Sequence, residues 1–289
     1  MSWTDRRFGN CAEPKTWKVD RDGFAVLHAF LDRIEIQETK ALVETALRLP
    51  RHSLCDRPHN TLVPLRWCDP LVGILAISER RLEVLRAVSG GHDLRWISGY
   101  ISIKEAFSPP LWWHQDWWCW DHPVSFRHDA VQAALLCYLT ETNNSNGALR
   151  VLPGSHLKSV AIHAVLPEAH SQNETLQSEH AAVSDLAGQV TLDLRAGDAV
   201  LLDYRLLHGT HANTTASRRD CLIFNFAPSW ETLPDDIKAH LIRHPALPSE
   251  NEAMAASKRF AEILPSFAGK RKSLPLNRNA PSEFEAVEH

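Results

Sequence analysis

The chain of 289 residues has no C-x-x-C pair, no surplus of positive charge, and no apolar stretch near the roughly 20 residues that cross a bilayer. Each absence removes a class. Cys11, Cys55, Cys68, Cys119, Cys137 and Cys221 stand far apart, which fits free thiols in a reducing cytoplasm and neither a disulfide frame nor a zinc ribbon. A formal net charge of −4 argues against nucleic acid or an anionic membrane as partner. The first ten residues contain no apolar h-region, so no signal peptide is expected and the location expected is cytoplasmic. No internal repeat is visible. Tyrosine is scarce, three against ten tryptophans, and five of those tryptophans fall between positions 112 and 120. With 44% hydrophobic residues the chain can bury a full core.

Residues 23–31 read as a strand and 32–48 as an amphipathic helix capped by Asp32 and stopped at Pro50. A polar connection over 50–70 leads to a second helix at 78–88. From 93 onwards short strands dominate, at 94–104, 130–139, 148–152, 190–194, 199–203 and 219–227, each bounded by Gly, Asp or Pro. Asn143 to Gly147 reads as a hairpin-type turn. This pattern predicts a mainly β fold with flanking helices, a sandwich or jelly roll. The expected organisation is one domain over 1–265: helical support at about 20–90, a β core at about 93–230 and a helical part in two pieces at 231–264. The segment 157–188 reads as an insertion or lid, and the polar, proline-containing 265–289 as a disordered tail.

The chemistry-bearing residues begin with His114-Gln115-Asp116. With sixteen histidines, about one H-x-D pair is expected by chance, so the pair needs context. Two positions apart in a strand puts both side chains on one face, within reach of a single ion. A third ligand must come from elsewhere, and His208, after the strand 199–203 and before Gly209, is the best candidate; His211 is its rival. Two imidazoles and one carboxylate leave one face of a metal open, which suits non-haem Fe(II) oxygen chemistry. His122, His128, His156, His163 and His170 lack a carboxylate at matching spacing and read as surface or loop residues.

Arg218 and Arg219 open the last strand, and alternation turns only one of them inward. A guanidinium aimed into apolar surroundings demands an anion. A dicarboxylic 2-oxo acid meets that demand, chelating iron at one end and meeting the arginine fork at the other. Thr210 stands where its hydroxyl can reach the same carboxylate.

Taken together, Trp113-His114-Gln115-Asp116, the segment Asn146 to His156 (NGALRVLPGSH), and His208-Gly209-Thr210 with Asn213 and Arg219 resemble the phytanoyl-CoA dioxygenase-like family of Fe(II)/2-oxoglutarate oxygenases, over about residues 20–230. The resemblance implies a double-stranded β-helix (jelly-roll, cupin-like) core with iron on His114, Asp116 and His208. It implies 2-oxoglutarate on Arg219 and Thr210, since the family places this arginine eleven positions after the distal histidine. Lys104 and Ser102 occupy places where family members contact 2-oxoglutarate, and Trp120 one where they contact substrate. Halogenating relatives replace the carboxylate that is retained here as Asp116, so hydroxylation-type chemistry is implied, with 2-oxoglutarate and O2 consumed and succinate and CO2 released.

Trp112, Trp118 and Trp120, with Arg218, are the expected substrate-facing residues, around a small metabolite or natural-product intermediate. No Lys/Arg cluster suited to the phosphates of an acyl-CoA stands near the motif. The expected assembly is a monomer or homodimer. Two other classes share these residues: a catalytically silent jelly-roll binding protein, and a zinc hydrolase on the same three ligands, which has no use for Arg219.

Overall fold

A computed structural model describes residues 17–48, 55–57, 60–76, 78–167, 180–254 and 258–287. Among the described residues eleven strands run in order as β1 (Phe24–Leu27), β2 (Cys55–Arg57), β3 (Asn60–Leu65), β4 (Arg95–Lys104), β5 (Leu111–His114), β6 (Ala133–Tyr138), β7 (Leu149–Val151), β8 (Val190–Thr191), β9 (Ala199–Asp203), β10 (His208–Thr210) and β11 (Arg219–Ala227). They form two antiparallel sheets. The larger has the order β1-β9-β6-β11-β4-β3-β2, the smaller β5-β10-β7-β8. This is the expected jelly roll.

The alternation of side chains along β4 and β11 builds two cores at once. Leu222, Phe224 and Phe226 on β11, with Ile101 and Ile103 on β4, pack under the helices on the outer face of the large sheet. Arg219, Cys221, Ile223 and Asn225, with Ser98, Tyr100, Ser102 and Lys104, face the space between the sheets. The outer layer is made by α1 (Val19–Asp22), α2 (Arg33–Arg48), α3 (Pro70–Ala76) and α4 (Glu79–Ser89). Asp32 caps α2 as expected: its carboxylate accepts from the amides of Ile34 and Glu35, and Glu35 accepts in return from the Asp32 amide at 2.9 Å. Ser78 caps α4.

Several expectations are corrected. The connection over 50–70 contains two paired strands, β2 and β3, and ends at the first residue of α3; Pro64 and the polar neighbours hide the period of β3. The turn at Asn143–Gly147 is present, with Gly147 at φ 83°, but it joins β6 to β7, strands of different sheets, so it is a crossover and not a hairpin. The C-terminal helices number three among the described residues: α5 (Asp235–Leu241), α6 (Glu250–Met254) and α7 (Lys258–Ile263). Of the segment 157–188, residues 168–179 lie outside the described residues; the flanks form short 3-10 turns at Ala161–Val165 and Ala181–Val183.

The largest correction concerns the tail, expected to be disordered. Residues 265–287 run as an ordered strap. The amides of Lys272 and Leu274 donate to the Ala239 carbonyl (3.1 Å) and to His240 Nδ1 (3.0 Å) at the end of α5. Asn277 exchanges backbone hydrogen bonds with Trp118 (2.9 Å) and Trp120 (3.1 Å). Near its end the Phe284 ring lies 5.0 Å from Trp120. Backbone pairing and isolated apolar anchors hold the strap, and neither leaves a periodic pattern in sequence. No helix among the described residues is long and apolar enough to cross a membrane.

Candidate metal and co-substrate site

Strand pairing brings the two histidines together. His114 ends β5, His208 begins β10, and the two are direct partners in the antiparallel ladder. Gly209 makes this approach possible, because a Cβ there would sit 2.7 Å from the Leu111 carbonyl oxygen. The rings lie with centroids 4.2 Å apart. Asp116 is not on the strand, contrary to the same-face expectation; it follows β5 in a loop whose amides at 116 and 117 both donate to the Tyr204 carbonyl, at 2.8 and 3.0 Å. Gln115 donates to the carbonyl of Arg205, itself locked in a buried pair with Asp203 at 2.6 Å.

The result is one compact donor set. His114 Nε2 lies 3.7 Å and His208 Nε2 3.6 Å from the two Asp116 carboxylate oxygens, and the ligand atoms of all three residues fall within 4.8 Å of one another. Both Nδ1 atoms point the other way, His114 to the Trp112 carbonyl at 2.9 Å and His208 to the Leu206 carbonyl at 3.0 Å. A carbonyl only accepts, so each ring holds its proton on Nδ1 and turns the Nε2 lone pair toward Asp116. This is the tautomer that binds a metal. His211 is half-buried, hydrogen-bonded to Thr191 at 2.8 Å, and not part of the group.

The second half of the site lies on the large sheet. Arg219 is buried, and among the described residues no carboxylate pairs with it. Its Nη1 donates to the Gly147 carbonyl, its guanidinium carbon stands 5.3 Å above the Tyr138 ring, and its Nε has no partner. A buried guanidinium in that state is costly unless an anion completes it. Lys104 lies beside it, wholly buried, donating to the Pro109 carbonyl at 2.7 Å. Burial first, then the nearby charges of Arg219 and Arg150, pull its ammonium down to about 7. Gly147 admits it, since a Cβ there would collide with the Lys104 stem.

One cavity of about 730 Å³ connects both halves; Ser102, Lys104, Thr210 and Arg219 line its inner end, with His114, Asp116 and His208 beyond them. That volume suits a co-substrate and a second small molecule. Trp118 is on the wall, its Nε1 donating to Gln132 Oε1 at 2.5 Å. Three expected substrate residues are not. Trp112 and Trp120 are buried in packing away from the cavity, and Arg218 points outward to Asp220 (3.0 Å) and Glu44 because it precedes the inward-facing Arg219 by one position. His156, in a turn, and His163, in the 3-10 turn Ala161–Val165, are buried, His122 pairs with Asp236 at 3.2 Å, and His170 lies outside the described residues. Tyr204, His240, Arg243 and Arg278 also line the cavity; no motif marks them, and the last three come from the C-terminal region.

A jelly roll carrying two histidines and an aspartate on a shared point, with a cavity-lining arginine, defines a non-haem iron, 2-oxoglutarate-dependent dioxygenase. The chain belongs to the phytanoyl-CoA dioxygenase (PhyH) family, which matches residues 19–221. It is similar to ectoine dioxygenase of Bordetella parapertussis (25% identical, covering 67% of this chain and 68% of the relative). It is also similar to L-proline trans-4-hydroxylase of Streptomyces griseoviridis (27% identical, 81% and 91% covered). Among solved structures, HygX from Streptomyces hygroscopicus, with nickel, 2-oxoglutarate and hygromycin B bound, shares the fold at a TM-score of 0.54 and 21% identity, over 73% of this chain and 84% of that one.

Proposed function

We propose that this protein oxidises an unactivated C–H bond of a small organic molecule, with iron on His114, Asp116 and His208 and 2-oxoglutarate on Arg219, Thr210, Lys104 and Ser102. The observation that carries the assignment is the buried Arg219, without a carboxylate partner and with an unpartnered Nε, at the inner end of the cavity that holds the three-residue donor set. A hydrolase built on the same ligands has no need of that cation. The donor set fits Fe(II): two neutral imidazoles with their lone pairs turned inward and one carboxylate leave room for exchangeable ligands.

When bound, iron and 2-oxoglutarate activate O2 and release succinate and CO2. The protein's share is placement. The β5–β10 ladder and the Tyr204 carbonyl fix the ligands. Arg219, braced by Gly147 and Tyr138, offers its fork to the far carboxylate of the 2-oxo acid, while Lys104 and the hydroxyls of Thr210 and Ser102 supply further donors. Trp118, Leu136 and Ile223 wall the remaining space and exclude water from the reacting carbon. The relatives named above act on ectoine and L-proline, so a small metabolite, natural-product intermediates included, is the substrate class proposed. We further propose that the β core and both helical flanks, up to the strap, fold as one domain.

The test is anaerobic reconstitution with Fe(II), then measurement of succinate from 2-oxoglutarate on admission of air. Iron- and O2-dependent succinate formation supports the proposal. Protein that binds Zn(II) in preference and never turns over 2-oxoglutarate defeats it.

A further inference from the structure

The strap over the cavity carries an arginine that nothing else in the site uses. Residue 277 is clamped between Trp118 and Trp120 by two backbone hydrogen bonds, and its side chain donates to Asp121 at 2.7 Å. The next residue, Arg278, is thereby held half-buried on the cavity wall, close enough to Tyr204 and His240 for its charge to act on both. Arg243, just past α5, lines the same mouth. Among the described residues neither arginine has an ion pair, and Asp116 is the one carboxylate on the cavity wall. On the same cavity wall, Trp118 and His240 stack with centroids 4.1 Å apart and planes 17° from parallel, forming a flat platform.

The charges can be balanced group by group. Fe(II), Asp116, the 2-oxoglutarate dianion and Arg219 cancel one another. Lys104 adds at most one positive charge deep in the site. Arg243 and Arg278 are then left as two cations without a counter-charge on the cavity wall, one exposed and one half-buried. Both stand beyond residue 221, where the family match ends, so this part of the cavity is not set by the shared motif.

We propose that the substrate carries an oxyanion, a carboxylate or a phosphate, that docks on Arg278 with Arg243 beside it, while a flat or cyclic body lies against Trp118 and His240. The C-terminal strap is thus a specificity-determining element. This rests on the oxygenase reading above. The anion is positioned at the mouth, and the bond to be oxidised extends inward toward His114, Asp116 and His208.

The test uses the full chain loaded with Fe(II) and 2-oxoglutarate under anaerobic conditions. The probes are 3-phenylpropionate, indole-3-acetate and N-acetylproline, each against its primary amide, with phenyl phosphate as a separate arm. Binding is read by calorimetry, and stimulation of succinate formation is read after air is admitted. Acids, or phenyl phosphate, are expected to bind about tenfold or more tightly than the amides. Arg278→Gln should abolish the preference and Arg278→Lys retain part of it, whereas Lys270→Gln, an exposed strap residue off the cavity, should change nothing. The arm that binds better assigns the anion to carboxylate or phosphate. Equal binding of acids and amides, failure of every anion to bind, or an unchanged preference in Arg278→Gln overturns the proposal. Calorimetry with 2-oxoglutarate alone separates the two readings: if it binds while the anion preference is absent, only the substrate inference is lost.

Discussion

Lys104 and Arg219 stand directly opposite each other on β4 and β11, both buried and both lining the inner end of the cavity. Like charges in that register repel, and the sheet tolerates them only where an anion is to come between or beside them. The arrangement costs free energy that a bound anion would offset.

This pairing sets a pH dependence. With its ammonium pulled down to about 7 by burial and by Arg219 and Arg150, Lys104 loses its proton as pH rises through neutrality. A bound dianion favours the charged form, so above pH 7 binding takes up a proton. Affinity for 2-oxoglutarate should therefore fall from pH 7 to 9, by up to about tenfold per pH unit. Lys104→Met should bind more weakly at pH 6.5 and show a flattened profile. For stability the sign is reversed. The unfolded chain keeps that proton up to the ordinary 10.5, so the cost of the buried charge is full below about 7 and is relieved as pH rises toward 10.5. Calorimetric titrations of the iron-loaded protein across this range decide the matter, and a wild-type affinity independent of pH would remove Lys104 from the site.

Neighbouring arginines should behave very differently. Arg219→Ala removes the buried fork and is expected to weaken 2-oxoglutarate by about 2–5 kcal/mol, or about thirty-fold to several thousand-fold, with iron binding little changed. Arg218→Ala breaks an outward pair with Asp220 and Glu44, one-third exposed, and should move the 2-oxoglutarate requirement by less than about twofold. Succinate formation against 2-oxoglutarate concentration distinguishes them. An equal effect of the two variants would mean that the inward and outward faces of β11 are wrongly assigned.

The ligand set makes a third contrast. His208→Ala should abolish stoichiometric Fe(II) binding, while His211→Ala, which removes a hydrogen bond to Thr191, should retain it. Gly209→Ala tests the scaffold behind the ligand: its methyl group meets the Leu111 and Trp112 carbonyls, at 2.7 and 3.0 Å, so β10 must move away from β5. Iron affinity should drop even though every ligand is retained, by the about 10- to 100-fold seen when ligand support is lost. Metal analysis after anaerobic reconstitution reads all three, and unaltered iron content in His208→Ala would send the search for a third ligand elsewhere.

How much of this was legible in sequence follows from how each feature is encoded. His114, Asp116 and His208 lie in short motifs that spacing exposes, whereas parity says only that one of Arg218 and Arg219 turns inward, and the choice of Arg219 rests on the family's eleven-position spacing. Asp116 does not share a strand face with His114: it sits in a loop fixed by the Tyr204 carbonyl, a backbone contact across 88 positions that no pattern records. The tryptophan cluster misled more. Chemistry alone does not tell a wall residue from a packing one, and of Trp112, Trp118 and Trp120 only Trp118 reaches the cavity. The three-residue β10 is too short to show a period. Low hydrophobicity and proline give the strap the composition of a disordered segment, whereas it is held by backbone hydrogen bonds and a few anchors spaced along its length.

That strap yields the last prediction. Phe284 lies 5.0 Å from Trp120, 6.4 Å from Phe126 and 5.3 Å from His163, tying the chain end to the helical turn after the metal motif and to the flank of the 157–188 segment. Its neighbours Ala286 and Val287 donate to the carbonyls of Leu157 (2.6 Å) and Phe126 (2.8 Å). Because the ring is half-buried, Phe284→Ala should cost about 1–3 kcal/mol, at or below the low end for a core phenylalanine. For a chain of this size that lowers Tm by about 2–4 °C for each kcal/mol. Removal of residues 265–289 strips Phe267, Leu274 and Phe284 from the inner core together and should destabilise by more than the point variant. A disordered tail predicts the opposite, no change in Tm for either variant. Thermal denaturation of the full chain, Phe284→Ala and the truncation decides between them, since a packed strap must lower Tm in that order.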